Sequence, residues 1–408
     1  MGKHEKKAYL QHIKPRYQKG VKAEKQRILD EFCAVCGYHR KYAIRVLNRR
    51  KPSKPPCQAG RKPTYDRDKI LEPLKRIWLA TDQMCSKKLA AAIPLWLPFY
   101  DDAYEILEDA VKQQLLQLSP ATIDRLLKPI RLNTSLKGLS GTKPGTLLRN
   151  QIPIRTHAWD ITQPGFMEAD TVAHCGNSLA GNFVWSLTMT DYHSGWTECR
   201  ATWNKGAHGV ITQIQSIEAQ LPFTLKGFDC DNGSEFLNYH LLRYFQDHPK
   251  RIDFTRSRPY KKNDNAYVEQ KNWTHVRQLF GYDRFDQPIL VDLMNNLYQN
   301  EWSLLQNYFC PTMKLKNKQR INSKYKRQYH PPETPYQRLI NSQHIDQTTK
   351  DTLNAHYQTL NPFILQQQIQ QKLNSIFQHV KVTSNVSQRL WAKVTFYCES
   401  TRTQAKYA

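Results

Sequence analysis

The chain has 408 residues, 39% hydrophobic and 23% charged, enough to bury a sizeable core in roughly two to four domains and too apolar to be disordered throughout. No run reaches 18 apolar residues and no apolar stretch follows MGKHEKKAY, which argues against a membrane span or leader and for a cytoplasmic protein. Sixty Lys/Arg against 35 acids, a formal +25, favour a polyanion partner, and nine scattered cysteines suit reduced thiols better than a disulfide framework.

Residues 1–70 carry 20 Lys/Arg and 6 acids. Within residues 1–50, AEKQRILDEFCAVCGYHRKYAIRVLNRR reads as a helix ending near Cys36-Gly37, a short turn, and a helix from about Tyr38 to Arg49. Ile28, Leu29 and Phe32 line one inner face, and Ala43, Ile44 and Leu47 the other. This is helix-turn-helix spacing, and Arg40, Lys41, Arg45, Arg49 and Arg50 are its candidate contacts to phosphates or base edges of double-stranded DNA. A plain helical hairpin would show the same pattern. His4, His12, Cys33 and Cys36 form a conceivable zinc set, but Cys33 falls on the apolar side beside Phe32 and the His spacing is wide, so packed thiols are expected and zinc is not.

Residues 51–66 are a Pro-rich basic linker, and 67–137 a second helical region. In LSPATIDRLLKPIRL, Ser119 or Pro120 opens a helix with Ile123, Leu126 and Leu127 inward and Arg125 and Lys128 outward, a second candidate DNA-binding helix or part of a structural bundle. A Gly/Pro-punctuated connector, 138–160, leads into a core spanning 161–310.

Within that core, PGFMEADTVAHCG, NFVWSLTMTD and WTECRATW read as three strands of an antiparallel meander, with Asp170 inside the first. A helix over HGVITQIQSIEAQL precedes a fourth strand around Phe228, which runs into Asp229, Cys230, Asp231 and an Asn-Gly turn. Apolar residues from Phe236 to Phe245 suggest the next helix, with Glu235 in its first turn. Ile252 and Phe254 mark a fifth strand, and a helix starting near Asn265 carries Glu269. Asp170, Asp231 and Glu269 lie 61 and 38 residues apart, so only the fold can gather them. If gathered, oxygen-only donors suit Mg²⁺, with Mn²⁺ as substitute. Asp170 would bridge two ions, with Asp231 and Glu269 holding one each. Asp229 rivals Asp231, which is preferred because the chain leaves the sheet there. Arg256, Arg258, Lys261, Lys262 and Lys271 surround the last helix as candidate phosphodiester contacts, or as a solvated basic loop.

Behind the core, PILVDLMNNLYQNEWSLLQNYF is helix-periodic. Residues 311–344 open with PTMKLKNKQRINSKYKRQYH, seven Lys/Arg and no acid, either a nucleic-acid contact strip or a solvated loop. Within 345–408, residues 345–378 read as helices with a Gln-rich face suited to self-association, and VKVTSNVSQRLWAKVTFYC hints at a small hairpin.

EADTVAHCG, DCDNGSEF and SRPYKKNDNAYVEQKN together resemble the three acidic motifs of the integrase-core transposases of bacterial insertion sequences, related to retroviral integrases. The resemblance covers about residues 20 to 340, including the TPYQRL stretch. It implies a ribonuclease-H-like α/β core with a mixed five-stranded sheet, and catalytic, metal-holding roles for Asp170, Asp231 and Glu269. It also implies metal-dependent cleavage and 3′-hydroxyl strand transfer of mobile-element DNA by a homo-oligomer. The front end departs from the viral zinc module. A DNA-binding regulator without turnover, and a nuclease on RNA–DNA hybrids, remain as other readings.

Overall fold

Five strands between residues 166 and 256 pair into one mixed sheet in the computed structural model, which describes residues 2–49, 65–131, 162–257 except 232, 234 and 237, 266–321 and 324–380. The expected terminal hairpin beyond Val380, the 138–160 connector and most of the Pro-rich linker lie outside the described residues. Two compact units are present, Met1–Thr64 and Tyr65–Ala408.

The first unit contains α1 (Lys3–Lys19), α2 (Lys22–Cys36) and α3 (Arg40–Asn48). Phe32 is fully buried at its centre, among Ile13, Tyr17, Ile28, Leu29, Cys36, Ala43 and Leu47. Gly37 ends α2 in the left-handed region at φ 63°, a conformation that costs most other residues. Ile44, expected inside, is 39% exposed. Ala43 and Leu47, four apart, form the inward row of α3, and Ile13 and Tyr17 of α1 help fill the core beside them.

In the second unit, α4 (Arg67–Ala80), α5 (Ser86–Trp96), α6 (Tyr100–Ala103), α7 (Asp109–Leu116) and α8 (Pro120–Leu127) precede the sheet. Ser119 caps α8, and Ile123 and Leu127 are its buried residues, with Leu126 half-buried. Next come β1 (Phe166–Ala173), β2 (Val184–Asp191) and β3 (Thr197–Trp203), the expected antiparallel meander. α9 (Ala207–Glu218) crosses to β4 (Gly227–Cys230), and α10 (Tyr239–Gln246) to β5 (Asp253–Arg256), both strands parallel to β1. The order β3-β2-β1-β4-β5 puts β1 at the centre. α11 (Ala266–Lys271) continues through a π-helical segment, Asn272–Arg277, into α12 (Gln278–Phe280). α13 (Ile289–Leu297), again extended by π-helical turns, is followed by a ribbon of β6 (Leu315–Ile321) and β7 (Lys324–Tyr329). α14 (Pro335–Asn341), α15 (Gln347–Gln358) and α16 (Pro362–Gln378) complete the described chain.

Strand alternation divides the core. Met167, Ala169, Phe228 and Cys230 face α9 and α10 in one cluster. The other cluster joins Val172 and Ala201 of the sheet to α4–α8, α13 and α16. There Trp96 is fully buried, its indole donating to the Phe309 carbonyl at 3.0 Å. No helix among the described residues is long and apolar enough to cross a membrane. The whole is a ribonuclease-H-like α/β core with flanking helical modules.

The outer edge of β3 is closed by two asparagine side chains rather than by another strand. Asn295 bonds the Ala201 N–H and C=O at 2.7 and 2.9 Å, and Asn307 does the same for Thr197 at 2.9 and 3.0 Å. Each carboxamide replaces a missing ladder partner and covers an open sheet edge. Asn307→Ala leaves two buried backbone groups unpaired, so the urea midpoint should fall by the equivalent of about 2–4 kcal/mol; an unchanged midpoint would contradict this edge closure.

Candidate active site

Parallel pairing of β1 with β4 sets the site. Glu168 lies opposite Asp229 and Ala169 opposite Cys230, so one further step brings Asp170 and Asp231 side by side where β4 ends. Alternation turns Glu168, Asp170, Asp229 and Asp231 away from the α9/α10 cluster that holds Ala169 and Cys230. The Val268 N–H in the first turn of α11 donates to the Glu168 carboxylate at 3.3 Å, which anchors that helix to β1. Glu269, exposed, follows directly, and Asn272 shares its helix face three residues on.

Asp170 accepts from the Thr171 N–H at 2.7 Å and from the Asn272 amide at 2.6 Å. Its carboxyl is pushed well above the ordinary range, first by burial, then by the charge of Asp231, with Glu235 and Glu269 adding to it. Asp231 accepts from the Gly233 N–H at 2.7 Å. Burial and then the Glu235 charge raise it to about 6. Asp229, its rival, is fully buried and accepts from the Thr255 hydroxyl at 2.7 Å; the largest charge effect on Asp170 comes from Asp231.

Glu235 is not a first-turn helix residue. α10 begins at Tyr239, capped by the Asn238 side chain, so Glu235 lies in the preceding loop. It is 3% exposed, accepts from the Thr171 hydroxyl at 2.7 Å and pairs with Lys205 at 2.6 Å. A Cβ at Gly233 would meet the Glu235 carboxylate at 2.5 Å, so a larger residue there would displace that carboxylate. Glu235 is thus a fourth acid at the site. The motif DNGSEF contains it, but its burial depends on Thr171 and Lys205, far away in sequence. Asn272 was discernible in principle from its three-residue spacing to Glu269.

The candidate DNA contacts fall into three groups. Arg40, Lys41, Arg45 and Arg49 are exposed on or after α3, although Arg40 pairs with Asp30 and Arg45 lies over the Tyr42 ring. Arg125 and Lys128 are exposed at the end of α8. Arg256 and Lys271 are instead buried, Arg256 within β5, which removes them from the expected basic surface around the last helix. The Lys271 ammonium donates to the Gly195 carbonyl at 3.3 Å, and burial followed by repulsion from Lys88 and Arg338 lowers it to about 7. Lys314 caps the His193 carbonyl and Arg338 the Ser194 carbonyl, so three cations hold three successive carbonyls of the β2–β3 turn. The TPYQRL stretch has its structural meaning here: Thr334 and Gln337 cap α14, which delivers Arg338. Arg50, Arg258, Lys261 and Lys262 lie outside the described residues. His174 is fully buried against Ser186 and held neutral by burial, a packing residue. In the first unit, Cys36 is a buried thiol and His4 and His12 are exposed.

Among the described residues, no three His, Cys, Asp or Glu side chains form a ready metal cage. The donor chemistry nonetheless suits a hard divalent cation. Buried carboxyls raised by neighbouring negative charge, as Asp170 and Asp231 are, are relieved by positive charge, and Mg²⁺ is commonly held by one or two carboxylates, waters and substrate phosphate rather than by a closed cage.

Fold and acidic cluster define the class: an α/β protein with a ribonuclease-H-like core and carboxylates gathered at the ends of its parallel strands. The chain is 39% identical over 333 residues to "Uncharacterized protein y4rM" of Sinorhizobium fredii (strain NBRC 101917 / NGR234), covering 81% of this chain and 93% of that one, and it belongs to the same family. No protein-family model matches. Among solved structures, the catalytic core of BIV integrase is similar at 15% identity and TM-score 0.28, over 44% of this chain and 96% of that one. The HTLV-2 integrase catalytic core in complex with magnesium is similar at 14% identity and TM-score 0.27, over 36% and 90%. Both are weak likenesses.

The raised carboxyls make stability fall as pH rises. Below pH 3.8 Asp231 is protonated in both states; between 3.8 and about 6 only the unfolded chain ionises, and the folded state loses ground. In chelator at pH 7.5, Asp231→Asn should therefore be more stable than wild type by about 1–3 kcal/mol, with the gap closing towards pH 4. A variant less stable at pH 7.5 would contradict the crowding of charge described here.

Proposed function

We propose that this chain is a DNA transposase, cleaving the ends of a mobile element and joining the freed 3′-hydroxyls to target DNA, with Asp170, Asp231 and Glu269 as catalytic residues. The observation that carries the reading is the Asp170 carboxyl, raised first by burial, then by the charge of Asp231, with Glu235 and Glu269 adding to it from far along the sequence. The three motifs around these acids, and the basic helices ahead of the core, support the same reading.

Asp170, Asp231 and Glu269 would hold divalent cations, Mg²⁺ or Mn²⁺. Bound there, such ions supply an activated hydroxyl nucleophile and neutralise charge on the phosphodiester. The protein's own part is positional. Asn272 fixes the orientation of Asp170, Glu168 holds the start of the Glu269 helix, and Gly233 ties down Asp231. Lys205 balances Glu235 and so limits the negative charge beside Asp231. The exposed cations of α3 and α8 are assigned to duplex DNA, engaged by a homo-oligomer, with arginine and lysine on backbone phosphates.

A second reading is a DNA-binding regulator without turnover, which the exposed cations of α3 and α8 would serve equally. One experiment separates the two. Full-length protein is incubated with Mg²⁺ or Mn²⁺ and labelled duplexes tiled across the DNA flanking its own gene, and nicks and joined products are mapped. The transposase reading expects cation-dependent nicks at inverted repeats and joined products. Asp170→Asn, Asp231→Asn or Glu269→Gln should each lower joining at least 100-fold while duplex binding stays within about threefold. Binding without any cleavage would favour the regulator, and a variant that joins normally would remove its residue from the site.

A further inference from the structure

The basic segment behind the core is neither a loop nor a helix. β6 and β7 pair from Leu315↔Tyr329 to Ile321↔Lys324, with an irregularity between Leu315 and Asn317. Every residue of β6 is exposed, as are Tyr325 to Tyr329 of β7. The ribbon is rooted in the second unit. Thr312 and Glu333 exchange backbone hydrogen bonds at 2.8 and 3.2 Å, and His330 bonds Lys314 at 2.9 Å. Lys314 and Arg338 then fasten that root to the β2–β3 turn, the same turn that receives Lys271 from the helix bearing Glu269.

Pairing register sorts the side chains. Directly paired residues share a face, so Lys318, Arg320, Tyr325 and Arg327 stand together. The Lys318 ammonium lies 4.7 Å from the centre of the Tyr325 ring and the Arg320 guanidinium 6.0 Å from it. Asn317, Gln319, Lys326 and Gln328 occupy the other face. Seven residues of strand reach about 20 Å. Two strands side by side fit a DNA major groove about 12 Å wide, which is known to admit a β-ribbon.

We propose that this ribbon is a duplex-DNA contact of the chain, lying along a groove with Lys318, Arg320 and Arg327 on backbone phosphates. Charge decides the occupant. Residues 311–330 hold seven Lys/Arg and no acid, so pairing two ribbons edge to edge would bring like charges together, whereas a phosphate backbone complements them. The inference rests on the transposase reading, and it adds a contact rooted beside the Glu269 helix and separate from the helices of the first unit.

The test compares wild-type full-length protein with Lys318→Ala/Arg320→Ala/Arg327→Ala, measuring binding to a fluorescent duplex over a salt series. Loss of three phosphate contacts should lower the slope of log K against log salt by about 2–3 and weaken binding at least tenfold at low salt, with circular dichroism and thermal unfolding unchanged. An unchanged slope overturns the proposal. So does a loss of self-association by light scattering with DNA affinity retained, which would make the ribbon a contact between copies. A wild-type chain that binds no duplex defeats both this inference and the transposase reading; wild type that binds and joins DNA while the triple variant keeps its slope defeats this inference alone.

Discussion

Like charges held together out of water are the constraint on which the site depends. The β1–β4 register leaves Asp170 and Asp231 adjacent at a strand end, and Glu235 joins them through the Thr171 hydroxyl. Burial raises the carboxyls of Asp170 and Asp231; the charges of Asp231, Glu235 and Glu269 raise Asp170 further, and that of Glu235 raises Asp231 further. Such an arrangement disfavours the folded state near neutral pH unless a proton or a cation enters. The rest of the second unit supplies the rigidity that holds it. Phe228 packs against Phe236, Phe245 and Phe254 under β4, and Trp96 joins the helices before the sheet to those after it.

Polar side chains do much of the work usually left to regular pairing. Two asparagines close the β3 edge, three cations hold the β2–β3 turn, and Glu168 anchors α11. Each satisfies buried backbone groups that would otherwise be costly. They also tie the helix of Glu269 to the turn that roots the basic ribbon. Site and ribbon therefore share one scaffold, and Lys271 contributes to that scaffold rather than to a phosphate surface.

Strand and helix order were legible because burial leaves periodic marks. The FVWSLTM run, the i, i+4 rows of α9 and α13, and the Asp170, Asp231 and Glu269 motifs all stood out. Features set by long-range pairing were hidden. Glu235 resembled a helix-start acid because nothing local shows that the helix waits until Asn238, or that Thr171 and Lys205 cover its carboxylate. Lys271 looked like one more cation in a basic stretch, since the carbonyl that receives it lies 76 residues away. α1 was obscured because Ile13 and Tyr17 stand among charged residues, and Ile44 was misplaced by counting apolar residues without knowing where α1 lies. The ribbon escaped notice because both its faces are polar, leaving no alternation to read.

We propose Asp170 and Asp231 as a carboxylate pair that receives a divalent cation. Calorimetric titration of Mn²⁺ into the full-length chain with a short duplex, near pH 6 in buffers of different ionisation enthalpy, tests it directly. Mn²⁺ binding with proton release to the buffer is predicted, because the raised carboxyls must ionise to accept the metal, and both signals should vanish in Asp170→Asn/Asp231→Asn. Equal Mn²⁺ binding by that double variant, or none by wild type with duplex present, would contradict the account.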